Sequence, residues 1–395
     1  MKSICLVLHT HQPISLKNYR FYDIGNSSAY FNEATNRELI QNLVTMKFNP
    51  VNQVLMKIFQ ENQYPFKISF SFSGTTLDLL EHAASEMVRD LKKMNELGYV
   101  EFLSETYSHS ILSKKYLDEF KEQIKIQKQK VWNIFGQLPQ AFLNISGYPT
   151  QFFSSILPEL GLKVMIKFNK VLSSSSKYHY QILNSIPIKV LFAEQRPFKN
   201  FTFPLNRDKK QQAIDIDLFL SWVKNLPDED DVVCLVLEYA NLIPENPKDL
   251  HVLDFIKKLP RKAKEMGIGF STPSEMMLKN DSFSFFNPGL EENLSQNMDT
   301  NILNVFQNEI FGLLNDLKEK VYQTQDQNIL KTWYYLQDQG LFDELYADNN
   351  VESEKNNAIQ FYITFRNVIE DFTQRVEQIL INENSRWSNI DKNPI

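Results

Sequence analysis

The clearest strand signal in the chain reads Val232-Val233-Cys234-Leu235-Val236-Leu237, an unbroken apolar run rich in β-branched residues. Continuous apolar character suits a strand of a parallel sheet, which is covered on both faces and therefore shows no polar alternation. Similar short runs alternate with longer segments of helical period through about the first 275 residues. This alternation predicts an α/β fold built on a parallel sheet or barrel.

The candidate strands and helices divide the chain into two parts. Further short runs predict strands at residues 3–9, 67–73, 99–104, 141–145, 163–168 and 188–192. The apolar spacing then becomes helical, which predicts C-terminal helices at residues 302–321, 329–341 and 358–381. Residues 282–287, followed by Pro288 and Gly289, are the best candidate for a linker. We therefore expect a barrel domain over residues 1–285 and a helical bundle over residues 286–395.

The composition is that of a folded globular protein and excludes several classes. Of 395 residues, 43% are hydrophobic and 23% are charged, which are ordinary values. The net charge is -6 and the basic residues are interleaved with acids, so we expect no nucleic-acid partner. No run approaches the roughly 20 apolar residues of a membrane span. Cys5 and Cys234 lie inside apolar runs, which favours free thiols and a cytoplasmic location.

Polar side chains gather where the first and third predicted strands end. The first strand runs into His9-Thr10-His11-Gln12-Pro13, and the spacing of two places both imidazoles on one face. The third strand runs into Glu105 and His109. Because parallel barrels assemble their sites at the carboxyl ends of the strands, these residues predict a functional site. The same histidines and Glu105 would also suit a zinc site if folding brings them together, so a zinc-dependent hydrolase is an alternative prediction.

The motifs, taken in order, resemble those of glycoside hydrolase family 57, particularly its α-amylase-like members. The matching segments are His11-Gln12-Pro13, Glu105-Thr106-Tyr107 with His109, Asn144, the block at Tyr239, residues 19–26, Phe72-Ser73-Gly74 and Trp333-Tyr334-Tyr335-Leu336-Gln337. A single match such as His-Gln-Pro is weak. The ordered set covers nearly the whole chain, and membership of this family is therefore our main inference.

The resemblance implies a fold, a substrate class and a set of site residues. The fold is an irregular seven-stranded (β/α) barrel of the glycoside hydrolase/deacetylase-like type, followed by a C-terminal helical bundle. The substrates are α-1,4-glucans, either oligosaccharides or polysaccharides, and the enzymes retain anomeric configuration without a metal or other cofactor. By the same resemblance, the substrate-binding positions are His11, Glu105, His109, Tyr239 and Trp333.

Two positions depart from the catalytic pattern that the resemblance implies. The family nucleophile is a glutamate at the end of the fourth barrel strand, and Ser146 stands there. The family acid/base is an aspartate at the end of the seventh, and Glu238 stands there. Retaining hydrolysis needs two carboxyl groups, one of which forms a glycosyl ester. Serine cannot replace the nucleophile productively, because its alkoxide is a poor leaving group and no base is evident.

The sequence therefore predicts an α-amylase-like protein that binds α-glucan and hydrolyses it weakly or not at all, with a saccharide-binding or regulatory role. Further polar positions of the family are replaced by Ala240, Gly340 and Leu341. One alternative is an active α-amylase or 4-α-glucanotransferase that pairs Glu238 with a relocated carboxylate, for which Glu105 is the candidate. The other is the metal-dependent hydrolase described above.

Overall fold

A computed structural model describes residues 2–61, 63–147, 156–168, 181–183, 188–193, 215–226, 232–243, 251–279, 284–286, 303–346 and 352–390. The strands in these ranges are β1 Ser3–Thr10, β2 Ile68–Phe72, β3 Val100–Leu103, β4 Ala141–Asn144, β5 Val164–Phe168, β6 Gln181–Leu183, β7 Lys189–Ala193, β8 Val232–Glu238, β9 Gly269–Phe270 and β10 Ser284–Phe286. Each strand predicted from an apolar run is present, within one or two residues of its predicted ends.

Seven parallel strands form a nearly closed barrel, which confirms the predicted fold class. Around the barrel β1 pairs with β2, β2 with β3, β4 with β5, β5 with β7, and β8 returns to β1. The joins between β3 and β4 and between β7 and β8 are narrow, through Ser104 opposite Phe142 and Ala193 opposite Cys234. Side chains of Cys5, Leu143 and Ile166 belong to the apolar core inside this sheet.

The helices of the described residues surround these strands and fill the C-terminal part of the chain. They are α1 Glu33–Leu43, α2 Asn49–Glu61, α3 Gly74–Ala83, α4 Ser85–Glu96, α5 Leu117–Phe135, α6 Ile216–Lys224, α7 His251–Glu265, α8 Pro273–Lys279, α9 Val305–Thr324, α10 Gln327–Leu336, α11 Gln339–Asp343 and α12 Glu352–Ile390. Within the ranges given above, none of them combines the length and apolar character that crossing a bilayer requires.

Some elements differ from the pattern read in the sequence. The periodicity of residues 75–96 predicts one helix, but Ala84, with φ −146° and ψ 45°, leaves the helical conformation and separates α3 from α4. The predicted linker at residues 282–287 contains β10, which pairs with β6. Pairing with β6 satisfies backbone donors and acceptors that would bind water in a linker. A strand of three residues is too short to show an apolar periodicity in the sequence. Pro288 and Gly289 lie outside the described residues.

The chain forms two compact units that alternate along the sequence. The first comprises residues 1–11, 39–105 and 124–295 and contains all the strands named above; the second comprises residues 12–38, 106–123 and 296–395. Two N-terminal segments thus belong with the C-terminal helices. The division into domains at residues 1–285 and 286–395 stays a prediction about which parts fold independently.

Candidate functional site

The centre of the candidate site is His9, the penultimate residue of β1. Parallel pairing sets His9 opposite Glu238 at the end of β8, so both side chains lie at the carboxyl edge of the sheet. Nδ1 of His9 lies 3.1 Å from Oε2 of Glu238. The imidazole is buried, whereas the Glu238 side chain is 40% exposed. Glu238, predicted at the acid/base position, is therefore reachable from solvent.

Glu105 contacts the other side of the same imidazole. It follows Ser104, whose backbone bridges to β4, and this bridge fixes where the end of β3 points. Oε2 of Glu105 lies 3.1 Å from Nε2 of His9, and Glu105 has no exposed surface. All three residues belong to the first compact unit. The His9 ring thus lies between the only two carboxylates that the sequence offered as a pair.

The surroundings of His9 decide its protonation state. Burial by itself lowers the pKa of the imidazole, but attraction to Glu105 and Glu238 and hydrogen bonds to both outweigh it, so the pKa rises from 6.5 to about 10. At neutral pH the ring is an imidazolium that donates from both nitrogens. A zinc ion would have to displace a proton from this ring, since metal binding requires a neutral imidazole.

His11 and Ser146 lie near the same edge in the first unit. Nδ1 of His11 is 2.8 Å from Oγ of Ser73, which also caps α3 by accepting from the Thr76 amide. Asn144, the last residue of β4, is buried, and Ser146 lies two residues beyond it, half-buried. The substrate-binding role of His11 and the nucleophile position of Ser146 stay predictions. Ser73 was not singled out as a site residue, although a serine directly after a strand and three residues before Thr76 is a recognisable capping pattern.

Two of the predicted sugar-binding aromatics are fully buried. Tyr239 stacks on Phe48 with 4.4 Å between ring centroids, and its hydroxyl donates to Asn52. Trp333 in α10 is buried within the second unit. Packing alone accounts for both positions. In this conformation neither ring has exposed surface that a saccharide could contact. Their role in binding sugar stays a prediction.

His109 belongs to the second unit and has an unusual backbone. Its φ is 51°, in the left-handed region that few residues other than glycine adopt. The neighbouring serines hold this segment: Ser108 donates to the Gln123 side chain, and Ser110 donates to the side chain of Gln337. These buried hydrogen bonds fix the conformation around His109, whose predicted role in binding substrate stays untested.

Comparison with known proteins agrees with this architecture. A protein-family model, "Glycosyl hydrolase family 57", matches residues 5–288. A Methanocaldococcus jannaschii protein named "Putative alpha-amylase" is 27% identical over 259 residues, which are 63% of this chain and 54% of the relative. The chain therefore spans about half the length of that relative.

Solved structures show the same fold at low sequence identity. The 4-alpha-glucanotransferase of Thermococcus litoralis superposes with a TM-score of 0.63 at 12% identity, over 92% of this chain and 59% of the other. The alpha-amylase AmyC of Thermotoga maritima gives a TM-score of 0.60 at 12% identity, over 96% of both chains. At 12% identity the structural likeness shows the fold alone. The family model, in contrast, matches most of the sequence. The chain belongs to glycosyl hydrolase family 57.

Proposed function

We propose that this chain binds α-1,4-glucan at the mouth of its barrel and hydrolyses it weakly or not at all, so that its role is saccharide binding or regulation. The position of the His9 ring between Glu105 and Glu238 is the observation that carries the proposal. The substrate class comes from the family and from relatives named as an alpha-amylase and a 4-alpha-glucanotransferase.

Hydrolysis of a glycosidic bond needs two carboxyl groups with the sugar between them. A retaining enzyme spaces them by about 5–5.5 Å, and an inverting enzyme by about 6.5–9.5 Å to admit a water. Here the space between the two carboxylates holds an imidazolium, and Glu105 is fully buried. Neither a sugar nor a water fits between Glu105 and Glu238 in this arrangement. An active amylase or glucanotransferase relying on that pair is therefore disfavoured.

Binding does not require the missing nucleophile. The half-exposed carboxylate of Glu238 can accept hydrogen bonds from sugar hydroxyls while His9 holds it in place. The hydroxyl of Ser146 can donate and accept, and it removes the negative charge that a glutamate would bring. A neutral ligand rich in hydroxyl groups suits such an edge. At the family's nucleophile position, however, Ser146 supplies no carboxylate that could attack the anomeric carbon.

Calorimetry with maltoheptaose, together with an assay for reducing ends and transfer products, tests the proposal. We expect the wild-type chain to bind without producing either, and Glu238→Gln to bind about tenfold more weakly because a charged acceptor is lost. Glu86→Gln, on an exposed surface of α4, serves as the matched control and should bind like wild type.

The variant Ser146→Glu tests whether the serine at the nucleophile position alone accounts for weak hydrolysis, or whether other substitutions in the site also contribute. We expect it to restore little activity, because Ala240, Gly340 and Leu341 also replace polar positions of the family pattern and their stabilisation of the transition state is lost with them. Efficient hydrolysis or transfer by the wild type that depends on Glu238 would overturn the proposal. Full activity in Ser146→Glu would instead show that Ser146 is the single loss and that the other substitutions leave the site intact. Absence of any binding would point instead to a role in contacting other proteins.

A further inference from the structure

Two neighbouring aromatic side chains of the second unit are largely exposed to solvent. Phe21 and Tyr22 open a short 3-10 turn, Phe21–Asp23, and they are 72% and 84% exposed. Their rings meet edge to face with centroids 5.9 Å apart. Nearby Tyr19 and Tyr30, by contrast, are buried. Large aromatic residues normally bury most of their surface, so a pair left in water is informative.

The segment that presents the pair is held firmly from beneath. The hydroxyl oxygen of Tyr19 lies 2.8 Å from the carbonyl oxygen of Asp23 and 2.6 Å from that of Ser27. The amide of Gly25, at a φ of 76°, donates to the carboxylate of Asp371 in α12. The two exposed rings take no part in these contacts. Such a preformed platform loses little conformational freedom when a ligand binds.

We infer that Phe21 and Tyr22 form a platform for an α-glucan chain, in addition to the barrel site; this inference rests on the proposed function for its ligand class. The apolar faces of glucose rings pack against aromatic rings, and the phenol of Tyr22 adds a hydrogen-bonding group. The side chains of Arg20 and Asn26 are exposed on the same segment and supply polar groups for sugar hydroxyls.

The small size of the patch favours a sugar over a protein partner. A buried aromatic side chain contributes about 150–250 Å², so two fall well short of the roughly 800 Å² per partner of a stable protein interface. A polysaccharide needs no such area at one point, because many weak contacts along one chain act together. Glycogen or starch, which presents many chain ends and segments, is thus the expected ligand.

Affinity electrophoresis of the full chain in native gels containing glycogen tests this inference. We expect glycogen to retard the wild type, and the double variant F21A/Y22A to need about tenfold more glycogen for the same retardation. The control Tyr346→Ala removes another exposed tyrosine of the second unit and should migrate like wild type. The ring-preserving variant F21Y/Y22F should also keep its retardation, which separates lost rings from a disturbed fold.

The possible outcomes distinguish this platform from the barrel site. If F21A/Y22A keeps full retardation, the platform is refuted while the barrel proposal stands. If F21A/Y22A loses retardation but still binds maltoheptaose, both are supported. A wild-type chain that binds neither glycogen nor maltoheptaose refutes the proposed function and the platform with it. Sedimentation showing self-association that F21A/Y22A abolishes, without glycogen binding, would identify the pair as a protein contact and overturn the inference.

Discussion

His9 contacts two acids, buried Glu105 and partly exposed Glu238, and compensates the charge of the buried one. Glu105 is excluded from water, and an uncompensated buried carboxylate costs several kcal/mol. The imidazolium meets this charge and simultaneously orients Glu238 through its second nitrogen. The His9 imidazole, a group that often serves as an acid or base in catalysis, is thereby held in an ion-pair network. The consequence is a stability that depends on pH.

The raised pKa of His9 predicts that stability falls in mildly alkaline solution. Because the pKa rises from 6.5 to about 10 on folding, the contribution of His9 is fully present below about pH 6.5 and is lost as pH rises toward 10. From the size of the shift this amounts to at most about 5 kcal/mol. Urea unfolding of wild type and His9→Gln across pH 6–10 measures it.

We expect the difference between wild type and His9→Gln to be largest at pH 6 and to shrink as pH rises. His11→Gln is the matched control, because it removes another imidazole at the same sheet edge whose Nδ1 lies 2.8 Å from the Ser73 hydroxyl. A pH-independent difference for His9→Gln would contradict the imidazolium assignment.

At the scale of elements, Asp371 ties the segment before α1 to helix α12. Its carboxylate accepts from the Gly25 amide, the Tyr30 hydroxyl and the Arg375 guanidinium. Burial alone raises the pKa of Asp371, but these hydrogen bonds and the positive charge of Arg375 outweigh it and hold the pKa below its usual value. One carboxylate therefore orders a loop and a helix at once.

Replacing this carboxylate should loosen the loop that carries Phe21 and Tyr22. We expect Asp371→Asn to lower the free energy of unfolding by about 1.5–3 kcal/mol, because its amide nitrogen cannot accept from Tyr30 or Arg375. Guanidinium unfolding at pH 7 measures the loss. Glu370→Gln, exposed one residue earlier in α12, should change stability by less than about 0.5 kcal/mol.

The pH dependence of Asp371→Asn gives an independent check. Since the folded-state pKa of Asp371 is depressed, its stabilisation is present above the ordinary value of 3.8 and is lost as pH falls through the folded-state value. Wild type and Asp371→Asn should thus converge in acid. A difference that stayed constant from pH 7 down to pH 3 would argue that the loop is held by shape alone.

At the scale of the whole molecule, closure of the barrel depends on its interior packing. Between β3 and β4 the backbone contact is the narrow bridge at Ser104, where the amide of Leu143 donates to the Ser104 carbonyl. The Leu143 side chain is fully buried in the barrel core. Because few backbone hydrogen bonds join β3 to β4, packing of interior side chains must contribute much of the stability of this join.

We expect Leu143→Ala to cost about 2–5 kcal/mol of unfolding free energy, because it removes buried methyl groups and leaves a cavity in the closing strand. Leu138→Ala, three residues before β4 and 56% exposed, should cost less than about 0.5 kcal/mol. Chemical unfolding of both variants measures the difference. Equal, small effects would mean that the barrel closes without this interior contact.

Much of the fold could be read from the sequence, because apolar runs and helical spacing are local properties. The strand at residues 232–237 and the polar residues following β1 and β3 were located in this way. The break at Ala84 and the short strands β6 and β10 were not, since no local pattern marks them. Short strands depend on pairing with distant residues, which local spacing does not encode.

The sequence by itself determined the α/β class and the strands that carry polar residues at their ends, and it predicts that Ser146 stands in place of a carboxylate. Only the tertiary structure decided what those residues do to one another. His9 and Glu238 are separated by 229 positions, and parallel pairing of β1 with β8 brings them within 3.1 Å. The charge of His9 depends on neighbours that folding supplies on both sides of its ring, and so does the closure of the space between Glu105 and Glu238.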